Sequence, residues 1–262
     1  MISSLLLIDP QNDFCDPRGT LSVPGAVEDC QRIISMIERV GSQISSIYVT
    51  LDTHHLFHIA NPSFWADENG NPPEPYTIIT SDDVKSGKFR AAVPKYQNHA
   101  VEYVTALEKL GKYDLCIWPP HCLIGTWGHN VYPPLSDELL RWEGAQPGRV
   151  VEYAEKGSNV RTEHYSAIRA EVSDAADPSS RTNFALIERL KAADNIAIAG
   201  EAFSHCLANT TRDLIPLIPT EKLILLTDCS SNVAGFESLG EEFLQEVRKL
   251  GIRTMTSEDF LR

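Results

Sequence analysis

Short apolar runs alternate with amphipathic stretches along this chain, and that alternation limits its fold more than any other feature. The runs at residues 4–8, 46–51, 114–117, 149–153, 195–199 and 223–227 have the length and β-branched content of buried strands. Helical periodicity fills the gaps. Residues 27–40 place Val27, Ile33, Ile34, Ile37 and Val40 on one stripe, and 100–110, 183–193, 204–217 and 236–250 also read as helices. Strand and helix in alternation imply a parallel sheet covered on both faces. Right-handed crossovers make it a doubly wound α/β layer structure with a mostly parallel, six-stranded sheet. Such sheets bind ligands outside the carboxyl ends of their strands.

The 262 residues, 42% of them hydrophobic, suffice for one large core and are read as a single domain over 1–262. Residues 59–96 break the rhythm. They are rich in Pro, Gly, Asn and Asp, as in Glu68-Asn69-Gly70-Asn71-Pro72-Pro73. The aromatics Phe64, Trp65, Tyr76 and Phe89 argue against disorder there, so the stretch reads as a lid or interface element. The polar stretch 171–181 is a second irregular segment able to line a site.

A formal charge of −13 leaves no basic footprint for nucleic acid and no polybasic membrane patch. No apolar run approaches membrane-spanning length. The six cysteines are scattered without a CxxC pair, and the N-terminus lacks a basic region and a cleavage site. A reducing, cytoplasmic setting with free thiols is the expectation.

Polar chemistry gathers at the ends of the runs. The first ends in Ile8-Asp9-Pro10-Gln11-Asn12-Asp13-Phe14, where Asp9 suits an active site or equally an Asx turn. The second ends in Leu51-Asp52-Thr53-His54-His55-Leu56-Phe57-His58. An aspartate with a histidine two residues on puts O and N ligands on one side of an extended segment, and His58 is a further candidate. The third leads through Trp118-Pro119-Pro120 to His121 and Cys122. His121 can complete a site with Asp52 and His54, for zinc or for iron or manganese. The fourth runs into Lys156-Gly157, an ordinary surface lysine unless an acid and a thiol stand beside it. The fifth ends at Gly200, followed by Glu201-Ala202-Phe203-Ser204-His205-Cys206 and a helical pattern. A thiol at a strand-to-helix junction is expected to have a lowered pKa.

With those residues in view, the chain resembles the isochorismatase-like cysteine hydrolases, and within them the nicotinamidases (pyrazinamidases). Asp9 to Phe14 resembles the D-x-Q-N-D-F opening and Asp52-Thr53-His54 with His58 the metal motif. Trp118 to Cys122 resembles W-P-x-H-C, Lys156-Gly157 the lysine motif, and Gly200 to Cys206 the G-x-A-x-x-x-C nucleophile segment. The resemblance implies an isochorismatase-like three-layer sandwich. It implies a triad with Asp9 as general base, Lys156 holding the charged state and Cys206 as nucleophile. It also implies a cis peptide at Glu201–Ala202, an oxyanion hole from the N–H groups of Ala202 and Cys206, and Phe14 and Trp118 flanking an aromatic ring. Asp52, His54 and His121 would hold a divalent metal, zinc first. The chain departs from the pattern in the long spacing from His54 to His121, in Thr53, in the extra His55 and in Glu201.

The function this implies is hydrolysis of a small amide, such as nicotinamide, to the acid and ammonia through a thioester. A ureido or carbamoyl compound is the alternative substrate, and an inactive binding homologue is the rival class. The vinyl-ether chemistry of isochorismatase does not require the cysteine. A dinucleotide oxidoreductase would need a Gly-rich turn where Asp9-Pro10-Gln11 stands. A homo-oligomer is compatible with all of these.

Overall fold

The computed structural model describes residues 2–262 and contains one six-stranded parallel sheet. Its strands are β1 (Ser3–Ile8), β2 (Ile44–Asp52), β3 (Val151–Lys156), β4 (Asn195–Gly200), β5 (Leu223–Leu226) and β6 (Arg253–Met255). They lie in the order β6-β5-β4-β1-β2-β3, every pair parallel. β1 and β4 are buried along their whole length, as strands covered on both faces must be. β3 forms an edge, and there Tyr153 turns to solvent. The longer helices are α1 (Ala26–Val40), α2 (Gln97–Leu110), α3 (Pro133–Gly144), α4 (Phe184–Lys191), α5 (Ala208–Leu214) and α6 (Glu237–Lys249). The doubly wound α/β expectation is borne out.

The chain steps outward from β1 to β2 and β3, then returns to the other side of β1 as β4. The topological switch point therefore lies between the carboxyl ends of β1 and β4, the place where such sheets open a crevice. Gly200 closes β4 there with φ 101°, and a Cβ on it would stand 2.2 Å from the Ile8 carbonyl oxygen. Only glycine allows both the left-handed backbone and that approach.

Two expected elements differ. Of residues 114–117 only Leu115–Cys116 pairs, antiparallel to Ile78–Ile79 and outside the central sheet. The sixth strand is instead β6, too short and polar to stand out as an apolar run. The helix expected over 204–217 begins as a π-turn, Phe203–Leu207, before α5. α3 was not legible from the pattern, although it buries Leu135, Leu139 and Trp142 along one face and Trp142 Nε1 donates to the Gly41 carbonyl at 2.9 Å.

Residues 59–96 are ordered around their aromatics. Phe64 and Trp65 are fully buried, Trp65–Asp67 pairs with Phe89–Ala91, and Ser81–Ser86 is a short helix with a Thr80/Asp83 capping box. Among the described residues no helix is long and apolar enough to cross a membrane. The six cysteines are all free and buried.

Candidate active site

Asp9, Asp52 and Lys156 meet at the carboxyl edge because β1, β2 and β3 are neighbours in register. Asp52 is paired with Lys156 across β2 and β3. Lys156 Nζ, buried, lies 2.9 Å from Asp9 Oδ2 and 3.1 Å from Asp52 Oδ1. It also donates to the His164 carbonyl at 2.9 Å and approaches Cys206 Sγ at 3.5 Å. Burial works against the ammonium, but Asp52 and Asp9 outweigh it and hold the Lys156 pKa well above its ordinary value. Burial pushes the Asp9 carboxyl up, with Lys156 opposing.

Thr50 fixes Asp9 from the next strand. Its hydroxyl accepts the Asp9 N–H at 3.0 Å and donates to Asp9 Oδ1 at 2.5 Å. Asp9 itself adopts φ 42°, a left-handed turn that aspartate tolerates better than most residues.

Cys206 comes to this group from across the switch point. Its thiol lies beside Lys156 and near enough to Asp9 for that carboxylate to act on it electrostatically. The lowered thiol pKa expected from the helix start is not found. Complete burial, Asp9 and Asp52 push the Cys206 pKa well up, against Lys156. The dipole of one irregular π-turn is too small to offset two nearby carboxylates. The resting group is thus a thiol beside a carboxylate. The Glu201–Ala202 peptide is cis.

Asp52, His54 and His121 converge on a second point. Asp52 Oδ2 is 3.0 Å from His54 Nε2 and 3.3 Å from His121 Nε2. His54 Nδ1 lies 3.1 Å from the Gly157 carbonyl and His121 Nδ1 2.8 Å from that of Pro119. Each Nδ1–H donates to its carbonyl, which turns both Nε2 lone pairs toward one carboxylate oxygen. Three mutually facing acceptors fit a divalent cation. Without one, burial opposes a charge on His54 but Asp52 and Glu163 raise its pKa to about 9, so a proton occupies part of that place. Burial pulls the Asp52 carboxyl up, yet His54, Lys156 and His121 together hold it well below the usual range. Gly157 closes the site with φ 88°, where a Cβ would meet Asp52 Oδ1 at 2.8 Å and His54 Cε1 at 2.9 Å.

The Asp9–Phe14 segment builds the frame. Gln11 brackets the Asp52 backbone, and Asn12 Nδ2 donates to the Trp127 carbonyl at 2.7 Å. Asp13 Oδ2 accepts the Cys122 N–H at 2.7 Å and its Oδ1 the Thr20 N–H at 3.1 Å. The loops carrying the two histidines are joined directly: His54 N–H donates to the Cys122 carbonyl and Ile124 N–H to that of His54, both at 3.0 Å. His121 therefore reaches the site from a loop and not from a sheet strand.

His58 is buried 4.5 Å, ring to ring, from His54. Its Nδ1 accepts the Ala60 N–H at 3.2 Å and its Nε2 lies 3.1 Å from the Thr162 carbonyl, so both nitrogens are engaged. It groups with His54 and Glu163 instead of with Asp52 and His121. His55 is exposed.

A small cavity opens over Cys206, Asp52 and His121. Phe14, Leu21, Trp118, Tyr165 and Val233 make its apolar walls, with Ala202, His205 and Glu163 between them. Glu163, Tyr165, His205 and Thr50 had no signal of their own in the sequence, since each takes its place only through the fold. Neither 59–96 nor 171–181 contributes to the lining, so the lid reading of 59–96 is not met. That segment instead supports Trp118 from behind: Trp118 N–H donates to the Ala60 carbonyl at 2.8 Å, and Tyr76 packs edge-on against its ring at 6.0 Å.

No family model matches the chain. A nicotinamidase of Saccharomyces cerevisiae is 25% identical over 166 residues, 63% of this chain, and the match spans 62% of that protein's length. A nicotinamidase of Acinetobacter baylyi is 25% identical over 214 residues, 80% of this chain and 73% of its own. The yeast nicotinamidase structure with the inhibitor nicotinaldehyde superimposes with a TM-score of 0.69 at 20% identity, covering 97% of this chain and 100% of that one. An isochorismatase-like hydrolase of Alkaliphilus metalliredigens covers 100% and 98% of the two chains at TM-score 0.56 and 16% identity. The chain shares the fold of isochorismatase-like hydrolases and is similar in sequence to curated nicotinamidases. A zinc complex of Pyrococcus horikoshii pyrazinamidase shares the isochorismatase-like fold with it, at TM-score 0.58 and 20% identity over 98% and 99% of the two chains.

Proposed function

We propose that this isochorismatase-like protein is an amidase that hydrolyses a small aromatic carboxamide, such as nicotinamide, to the acid and ammonia. The observation that carries the reading is the contact of Lys156 with Asp9, Asp52 and Cys206, the last two of which line an aromatic-walled cavity. The nicotinamidase relatives support the same bond type.

The steps follow from what each group can hold. Cys206 rests as a thiol against the Asp9 carboxylate. As Sγ attacks the carbonyl carbon, the thiol proton passes to Asp9 and the carbonyl oxygen takes up the displaced charge. The backbone N–H groups of Ala202 and Cys206 are the proposed donors to that oxygen. Asp9 then returns the proton to the amide nitrogen, the C–N bond breaks, and ammonia leaves a thioester on Cys206. Water, deprotonated by Asp9, attacks the thioester carbon. The acid departs, and the proton on Asp9 restores the thiol. Lys156 favours the carboxylate form of Asp9 at the start of each half-reaction.

Asp52, His54 and His121 are the residues that would hold a divalent ion, zinc first. When bound, it would supply a Lewis-acid contact for an acceptor atom of the substrate ring. Phe14 and Trp118 would hold the ring between them. A ureido or carbamoyl substrate would leave these walls without a partner.

The test is ammonia release from nicotinamide by the purified protein, as isolated and after chelation, with Cys206→Ala as control. Turnover that needs Cys206 and falls on chelation supports the reading. A folded, metal-loaded protein that releases no ammonia overturns nicotinamide as the substrate.

A further inference from the structure

His205, next to the nucleophile, is a polar residue the proposed mechanism does not use. It lines the cavity and is buried. Its ring stands among aromatic neighbours, edge-on to Trp118 at 5.2 Å and to Phe236 at 4.9 Å, with Tyr165 at 5.5 Å. Burial without a compensating charge pulls its pKa to about 4, so the imidazole is neutral.

Its tautomer is set from the protein side. The Val233 N–H donates to Ser204 Oγ at 3.1 Å, and Ser204 Oγ lies 2.9 Å from His205 Nδ1. Ser204 is buried, and among the described residues its hydroxyl has no other acceptor. The hydroxyl therefore donates to Nδ1, since the reverse would leave a buried O–H unsatisfied. Nδ1 is then the acceptor and Nε2 carries the hydrogen. Nε2 has no protein partner among the described residues and is not sealed off from the cavity. The neighbouring indole donor is already used, because Trp118 Nε1 donates to the Tyr165 hydroxyl at 3.0 Å.

We propose that His205 is a specificity-determining residue whose Nε2–H selects ring carboxamides carrying a second hydrogen-bond acceptor on the ring, besides the acceptor that faces Asp52, His54 and His121. This rests on the amidase reading and names the substrate class within it. A ring with one acceptor leaves the donor unpaired in a desolvated wall, whereas a ring with two satisfies it. The contact forms in the ground state and the transition state alike, so it acts mainly on KM.

The experiment compares nicotinamide with three diazine carboxamides that move the second ring nitrogen around the edge: pyrazinamide, pyrimidine-5-carboxamide and pyridazine-4-carboxamide. kcat/KM is measured for each with the wild type, His205→Phe and Ser204→Ala. Ratios to nicotinamide within each protein cancel general loss of activity. For at least one diazine, His205→Phe is expected to lower the wild-type ratio by about fivefold to tenfold, the worth of one neutral hydrogen bond, through KM. Ser204→Ala keeps the ring but frees the tautomer, and is expected to lower the same ratio by less. Should His205→Phe fail to fold, the Ser204→Ala ratio alone decides. Ratios unchanged within about twofold overturn the role of His205 and leave the amidase reading standing. No turnover of any of the four amides by the wild type overturns both.

Discussion

Gln11 and Asp52 are bound to each other twice through the amide side chain of one and the backbone of the other. Gln11 Nε2 donates to the Asp52 carbonyl and Gln11 Oε1 accepts the Asp52 N–H, both at 2.7 Å. The glutamine just past the end of β1 thus holds the backbone that carries the Asp52 carboxylate, which faces Lys156 with one oxygen and His54 and His121 with the other.

Gln11→Ala is expected to weaken divalent-ion binding by about 10–100-fold, because supporting contacts of this kind fix ligand orientation. Titration of the metal-free protein with zinc, read by calorimetry, checks it. Unchanged affinity would mean that the β2 backbone holds Asp52 without Gln11.

Lys156→Met should remove activity and destabilise the metal-free fold by about 3–5 kcal/mol, since two buried carboxylates lose their shared counter-ion. Urea unfolding of the two proteins gives the difference. A loss under about 1 kcal/mol would show that Asp9 and Asp52 take up protons at little cost.

Cys206 in the resting protein should react with iodoacetamide at neutral pH no faster than an unperturbed cysteine, because burial and two carboxylates raise its pKa. Labelling followed by peptide mass analysis reads each cysteine separately. Alkylation of Cys206 faster than that of an unperturbed free thiol would falsify the resting-thiol state and favour the thiolate expected from its place before a helix.

Glu171 gives a pH signature remote from the chemistry. Burial raises its carboxyl to about 7, with Lys112, 3.6 Å away, opposing and Asp213 adding to the rise. A raised folded-state pKa means a contribution fully present below the ordinary value of 4.5 and lost as pH climbs to about 7. The loss amounts to about 3 kcal/mol at most. Glu171→Gln should flatten the stability profile across that window and leave the variant more stable than wild type at pH 7. Denaturation midpoints at several pH values decide it, and a variant that keeps the wild-type slope refutes the assignment.

Much of the sheet was legible because buried parallel strands leave an apolar run, as in Leu5-Leu6-Leu7-Ile8 and Ile196-Ala197-Ile198-Ala199. β6 was not, since three edge residues need no such run. The segment 114–117 looked like a sheet strand because a run of apolar residues does not say what it pairs with.

The sequence by itself determined that Asp9, Asp52 and Lys156 stand at strand ends and that Cys206 follows a strand. Those positions depend on local pattern, and a parallel sheet with right-handed crossovers brings its carboxyl ends to one edge. Tertiary structure alone decided the rest. It placed β4 beside β1, so that the Cys206 thiol meets Asp9 and Lys156, and it buried that thiol deeply enough to keep its proton. It carried His121 to Asp52 on a loop tied to His54, and it gave both nitrogens of His58 to backbone groups. Contacts between residues far apart in the chain, and the desolvation that goes with them, have no counterpart in local sequence.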